Sequence, residues 1–158
     1  MVRTLVGGAV LLFAACGPST SDDAAAIRSQ SSQLQALVEA HASSPAAVSP
    51  TTCAAELQTY RNDVTRVLGT LGTRCHAVDA CFMGMGHGDE ADLADALRAL
   101  QTELDAHVAS ACTAADLGAE LHRHRDVMVG HCMHLGDRAH TAMGMMSPGG
   151  MMPAAGCR

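Results

Sequence analysis

Leu57, Tyr60, Val64, Val67 or Leu68, Leu71 and Cys75 follow one another at steps of three and four residues. Such spacing keeps one stripe of side chains pointing the same way only on an α-helix, so it predicts a helix that turns a buried seam toward its neighbours. Three further seams have the same character. Ile27, Leu34, Val38 and His41 mark the first; Leu93, Leu97, Leu100, Leu104 and His107 or Val108 mark the third; Leu117, Leu121, His124, Met128, His131 and Leu135 mark the fourth. No stretch alternates apolar and polar residues with period two, so no sheet is expected. Four helices with short connections predict an all-α fold, an antiparallel four-helix bundle over residues 23–138.

The boundaries follow from capping chemistry. Thr20-x-x-Asp23 has the form of a capping box, Ser49 and Pro50 suit the cap and first position of the second helix, and Asp89 is the expected cap of the third. Thr113-x-x-Asp116 restarts the chain as the fourth. Residues 43–50 read as a loop and residues 81–90 as a Gly-punctuated turn. Residues 139–158, rich in Met and Gly, read as a disordered tail. Aromatic residues are only 2% of the chain, so Leu, Val, Ala and Met must build the core.

The net charge is −6, and the chain has no lysine and only scattered arginines, so no basic stripe exists for a phosphate backbone and nucleic acid is not an expected partner. No Ser/His/Asp order, Gly-rich phosphate loop, H-E-x-x-H or C-x-x-C-H motif occurs. The expectation is a protein that is not an enzyme, and the sequence names no protein partner.

The first residues, MVRTLVGGAVLLFAAC, combine one Arg with an apolar run too short for a membrane span. Phe13-Ala14-Ala15-Cys16 resembles the lipobox of bacterial lipoproteins, with Phe13 where that motif usually carries Leu. The resemblance covers these residues alone. It implies a signal peptide over residues 1–15, lipidation of Cys16, a tether over residues 16–22, and an anchor in the bacterial outer or cytoplasmic membrane facing the periplasm or cell exterior.

With Cys16 lipidated, Cys53, Cys75, Cys81, Cys112, Cys132 and Cys157 remain, an even count that favours disulfides in an oxidising compartment. Cys53 opens the second helix and Cys112 sits between the third and fourth, so an up-down bundle brings both to one end. A similar count along the helices predicts that Cys75 and Cys132 are level at the other. The expected bridges are Cys53–Cys112 and Cys75–Cys132, with Cys81 and Cys157 unassigned. The absence of any C-x-x-C pair argues against a thiolate metal site.

Three groups carry metal-ligand chemistry. On the fourth helix, His124, Met128 and His131 share the seam with Glu120 one turn above, and His107 of the third helix is placed to join them, nearest to His124. Met83, Met85 and His87 alternate with glycines in residues 83–87. His140, Met143 and Met145 lie in the tail, with Met146, Met151 and Met152 beyond. Thioether sulfur favours Cu(I), and imidazole also holds Cu(II). These mixed His/Met runs are similar in composition to those of periplasmic copper-handling proteins. The expectation is an extracytoplasmic lipoprotein that binds or buffers a soft metal ion, copper first. The alternatives are a haem b bundle with His/Met axial ligands, resembling the cytochrome b562 arrangement, and a structural or partner-binding lipoprotein without metal.

The anchor is open to a direct check. A Cys16→Ser variant should leave the membrane fraction or accumulate unprocessed, whereas an unchanged mature mass and membrane fraction would rule out lipidation.

Overall fold

A computed structural model describes residues 18–84 and 92–146. It contains α1 (Pro18–Ala42), α2 (Cys53–Gly84), α3 (Leu93–Ser110), a 3-10 turn (Ala111–Thr113) and α4 (Leu117–Met146). Among the described residues there is no strand, and no helix is long and apolar enough to cross a membrane. Each helix packs on two neighbours: α1 on α2 and α4, and α3 on the same two. Successive helices run in opposite directions. Asp23 near the start of α1 pairs with Arg74 far along α2 at 2.6 Å, and His41 at the end of α1 faces Glu56 near the start of α2.

The seams explain this packing. Ala24, Ile27, Leu34 and Val38 of α1 meet Leu57, Val64, Leu71, Val78 and Phe82 of α2, and α3 and α4 complete the core with Leu93, Leu100, Leu104, Met128 and Leu135. Most of these side chains are fully enclosed. On α4 the buried set is Leu121, His124, Met128, Cys132, Leu135, Ala139 and Ala142, so after Met128 the seam steps by four and passes through Cys132 where His131 was expected. A straight helix drifts against a strict seven-residue repeat, and the extra residue in the step restores the inward direction.

The ends of the helices differ from the sequence expectation in several places. Asp23 is no capping partner of Thr20; α1 already begins at Pro18 and Asp23 is spent on Arg74. Pro50 lies in turns before α2, which starts at Cys53 with its N–H bonded to the Ser49 carbonyl at 2.8 Å. Residues 81–84 are helical, with Phe82 fully buried. Asp89, with the rest of residues 85–91, lies outside the described residues. Asp92 occupies the cap position of α3 in a left-handed conformation, φ 40°, and makes no side-chain capping bond. The cap comes from another helix. Asp79 of α2 accepts the N–H of Leu93 at 3.2 Å and of Ala94 at 2.9 Å, joining the end of one helix to the start of the next. At α4 the cap is local: Asp116 accepts the Ala119 N–H at 2.9 Å.

Helix α4 also outruns its expected end. Residues 139–146 continue it, with Ala139 and Ala142 buried and Met143, Met145 and Met146 packed against the core. Gly136 does not break it, because α1 passes close there and Ser31 lies 3.9 Å from where a Gly136 Cβ would stand. Packing on α1 supplies the stabilisation that glycine withholds from an isolated helix.

Cys53 and Cys112 form a disulfide with Cα atoms 5.8 Å apart, closing a separation of 59 residues. The chain-entropy contribution is about 4 kcal/mol. Cys75 and Cys132 are both buried free thiols, which corrects the second expected bridge. Helices α2 and α4 run in parallel from the same end, but α4 begins only at Leu117, so Cys132 is about seven residues, or about 10 Å, short of the level of Cys75. The two helices also stand diagonally across the bundle. Level counting from Cys112 missed the 3-10 turn and the step before Leu117. Cys81 is disulfide-bonded, and Cys157 lies outside the described residues.

The Asp79 contact gives a stability prediction. Asp79→Ala should lower unfolding free energy by about 1–2 kcal/mol, the range of a lost N-terminal cap, and Asp79→Asn by less, since the amide oxygen still accepts one N–H. Urea unfolding of both variants measures this; equal stability of Asp79→Ala and the parent would show that the first turn of α3 needs no external acceptor.

Candidate metal centre

At the end of the bundle that carries the Cys53–Cys112 bridge, each helix places one ring in the interior: His41 from α1, Tyr60 from α2, His107 from α3 and His124 from α4. All four are at most 5% exposed. The rings form two stacks at right angles. His41 lies on Tyr60 with centroids 3.9 Å apart and planes 7° from parallel, and His107 lies on His124 at 3.7 Å and 10°. His41 Nε2 is 3.3 Å from His107 Nε2, and the Tyr60 hydroxyl is 2.9 Å from His124 Nε2.

Carboxylates stand behind the rings. His107 Nδ1 meets Glu120 Oε1 at 3.1 Å and His124 Nδ1 meets Glu103 Oε1 at 2.9 Å, so the two helices exchange partners crosswise. Each supplies a Glu and, four residues later, a His. One helical turn stacks the pair on one face, and antiparallel packing then puts the Glu of each helix beside the His of the other. Arg123 ties the arrangement together, reaching Glu120 at 2.8 Å and Glu103 at 3.0 Å. Behind His41 the contact is looser, with Nδ1 3.7 Å from Glu56 Oε1.

Burial sets the protonation states. It pushes His41 down to about 4, helped by the nearby His107 and only partly opposed by Glu56. His124 falls to about 4 for the same first reason, with His107 adding to it and Glu103 opposing. His107 is also lowered by burial, against the pull of Glu120. The Arg123 hydrogen bond, with a smaller share from His107, holds Glu120 at about 2 despite burial. Burial raises Glu103, but the Arg123 and His124 bonds outweigh it and leave it lowered. Burial raises the Tyr60 phenol. At neutral pH the interior therefore holds three uncharged imidazoles and an uncharged phenol. Around them Glu103 and Glu120 share one guanidinium, that of Arg123, leaving negative charge in excess.

Carboxylates accept and do not donate, so neutral His107 and His124 carry their protons on Nδ1 and direct Nε2 lone pairs inward. That is the tautomer in which carboxylate-backed histidines bind metal ions. Tyr60 now donates to one lone pair and His41 to the other. Among the described residues no three His, Cys, Asp or Glu side chains are already spaced to hold an ion; the facing nitrogens bond one another instead.

The expected site residues divide accordingly. His107, His124 and Glu120 come together, Glu120 behind a histidine and not facing the interior with it. Met128 is fully buried one turn beyond His124, within the apolar core. His131 is half-buried and lines a surface hollow with Asp95, Arg98, Ala99, Thr102 and Glu103. Met83 is 60% exposed at the end of α2. Met85, His87, Met151 and Met152 lie outside the described residues. His140 is exposed, while Met143 and Met145 pack on the core, so their sulfurs have a packing role that a free tail would not give them. Sequence reasoning passed over His41 and Tyr60 as seam residues and missed Glu56, Glu103 and Arg123. A signal was present: Glu-Leu-x-x followed by Tyr or His occurs at residues 56–60, 103–107 and 120–124.

Compared with known proteins, the chain matches no family model, no curated protein and no solved structure.

The lowered histidines fix how stability depends on pH. His41 and His124 titrate near 4 in the fold against 6.5 when free, so between those values the unfolded chain binds more protons and the native state loses ground as pH falls. Glu120, at about 2 against 4.5, adds a loss of the same sign at lower pH. Each of the two histidines contributes a loss on the order of 3 kcal/mol by pH about 4. Thermal unfolding followed by helix ellipticity should show Tm dropping steadily from pH about 6.5 downward; a constant Tm across that window would mean the buried rings are already charged at neutral pH.

Proposed function

We propose that this chain is a lipid-anchored extracytoplasmic protein that binds or buffers a transition-metal ion, copper first, in the four-ring cluster. The observation that carries the reading is the pairing of inward Nε2 lone pairs on His107 and His124 with an excess of carboxylate charge behind them. A cation satisfies both. Imidazole donors suit copper and zinc, and Cu(II) binds nitrogen ligands most tightly among divalent first-row ions. The Cys53–Cys112 bridge fits the oxidising compartment that the N-terminal resemblance implies. The haem alternative gains nothing here, because rings stacked at 3.7 and 3.9 Å leave no gap for a porphyrin between the helices.

The purpose of such a site is ion retention. Its ligands are enclosed, and Met143 and Met145 pack against the apolar core instead. Metal analysis of protein secreted in the presence of copper should find close to one equivalent. His107→Ala together with His124→Ala should weaken binding by more than the about 100-fold that loss of a supporting carboxylate costs, while removal of residues 147–158 should leave the tight site intact. Copper retained by the double variant but lost on truncation would move the site to the C-terminal segment, and protein free of metal would support a structural role for the rings.

A further inference from the structure

Of the four rings, His41 alone has an unsatisfied nitrogen. Its Nδ1 is buried without a hydrogen-bond partner, although its side chain is 3% exposed and Glu56 Oε1 lies only 3.7 Å away. At 3.7 Å the carboxylate is just beyond hydrogen-bond reach, and the choice of tautomer accounts for the gap. His107 Nε2 is an acceptor, so the 3.3 Å contact between the two Nε2 atoms needs His41 to carry its proton on Nε2. His41 Nδ1 then turns a lone pair toward a carboxylate, and two acceptors face each other. Moving the proton to Nδ1 repairs that contact and spoils the other, since two Nε2 lone pairs would then meet at 3.3 Å. Neither tautomer satisfies every nitrogen. A buried polar atom left without a partner is disfavoured by about 1–3 kcal/mol.

A metal ion between the Nε2 atoms removes the conflict. We infer that Glu56 is the third supporting carboxylate of the proposed centre and His41 its adaptive ligand: on loading, the His41 proton passes from Nε2 to Nδ1, where it is donated to Glu56, and Nε2 joins those of His107 and His124 on the ion. The inference rests on the metal-binding reading above. Each imidazole then has a carboxylate from a neighbouring helix behind it: Glu56 behind His41, Glu120 behind His107 and Glu103 behind His124. The spacing supports it. Two nitrogens about 2.0–2.1 Å from one ion at the tetrahedral angle stand roughly 3.3–3.4 Å apart, and the His41 and His107 Nε2 atoms are already 3.3 Å apart. The Tyr60 hydroxyl, on His124 Nε2, has to yield that lone pair. The donor set is thus that of a late first-row ion such as Zn(II) or copper, held by three imidazoles through Nε2 once the His107 and His124 rings, stacked at 3.7 Å, turn toward one point. No proton is gained or lost by His41; it only changes nitrogen.

Nitrogen chemical shifts of the full chain with labelled histidine, read at neutral pH with and without one equivalent of Zn(II), report each tautomer. Without metal, His107 and His124 should be protonated on Nδ1 and His41 on Nε2. With Zn(II), all three should be protonated on Nδ1. Zinc-dependent shifts at His107 and His124 while His41 keeps its Nε2 proton would overturn this inference alone. No zinc-dependent shift at any of the three would overturn the metal-binding reading with it. Glu56 is tested separately by affinity. Glu56→Ala should weaken Zn(II) binding about 10–100-fold, the range for a lost supporting carboxylate, and Glu56→Gln, which keeps an acceptor oxygen, should recover most of that loss. Unchanged affinity in Glu56→Ala, or equal losses in the two variants, would rule out the hydrogen-bonding role.

Discussion

The crosswise exchange of carboxylates between α3 and α4 is the interaction on which this end of the bundle depends. Glu103 holds His124 and Glu120 holds His107, with Arg123 bridging the two acids. Slide one helix by a turn and both pairs are lost together, leaving imidazoles and carboxylates buried without partners. Apolar seams tolerate such slippage far better, because Leu against Leu at one level resembles Leu against Leu at the next. A satisfied polar layer therefore specifies register more sharply than the core beneath it. The disulfide beside it adds a covalent limit at the same end.

Electrostatics at the layer oppose stability as much as they serve it. Burial drives His41 and His124 well below their free values, so the fold keeps them uncharged against the attraction of nearby carboxylates. The charged groups survive burial for a different reason. Glu120 and Glu103 share one guanidinium, and the Arg123 bond is the first cause of Glu120's low value. A core built only for stability would replace this set with leucine, since buried ionic groups are often neutral or unfavourable beside well-packed apolar ones. Here uncharged imidazoles are kept buried with carboxylates behind them.

The far end of the bundle is held by other means. There the apolar seams close over Phe82, Leu93 and Leu135, and the Asp79 carboxylate links α2 to the first turn of α3. Burial raises Asp79 while the two backbone N–H groups lower it, and burial prevails. Cys75 and Cys132 rest in this apolar interior with thiols pushed up to about 12 by burial. A thiolate is the reactive form. Burial therefore keeps both thiols unreactive beside the oxidised cysteines of the same chain.

Periodicity alone determined four helices, their order and the end at which Cys53 meets Cys112, because spacing of three and four is a local property that each helix satisfies by itself. It also marked His107 and His124 as inward and adjacent. It could not say how far each helix extends. Gly136, Thr141 and Gly144 are weak helix formers, and packing against the rest of the bundle favours the helix there. Nor could it place Cys132 in the seam instead of His131, since one residue of drift decides which of two neighbours faces the core. The carboxylates were hidden for a related reason. Glu56, Glu103 and Glu120 each stand one turn before a ring on their own helix, yet each serves a ring on another. That partnership exists only once antiparallel helices are packed side by side, and no spacing within one helix encodes it.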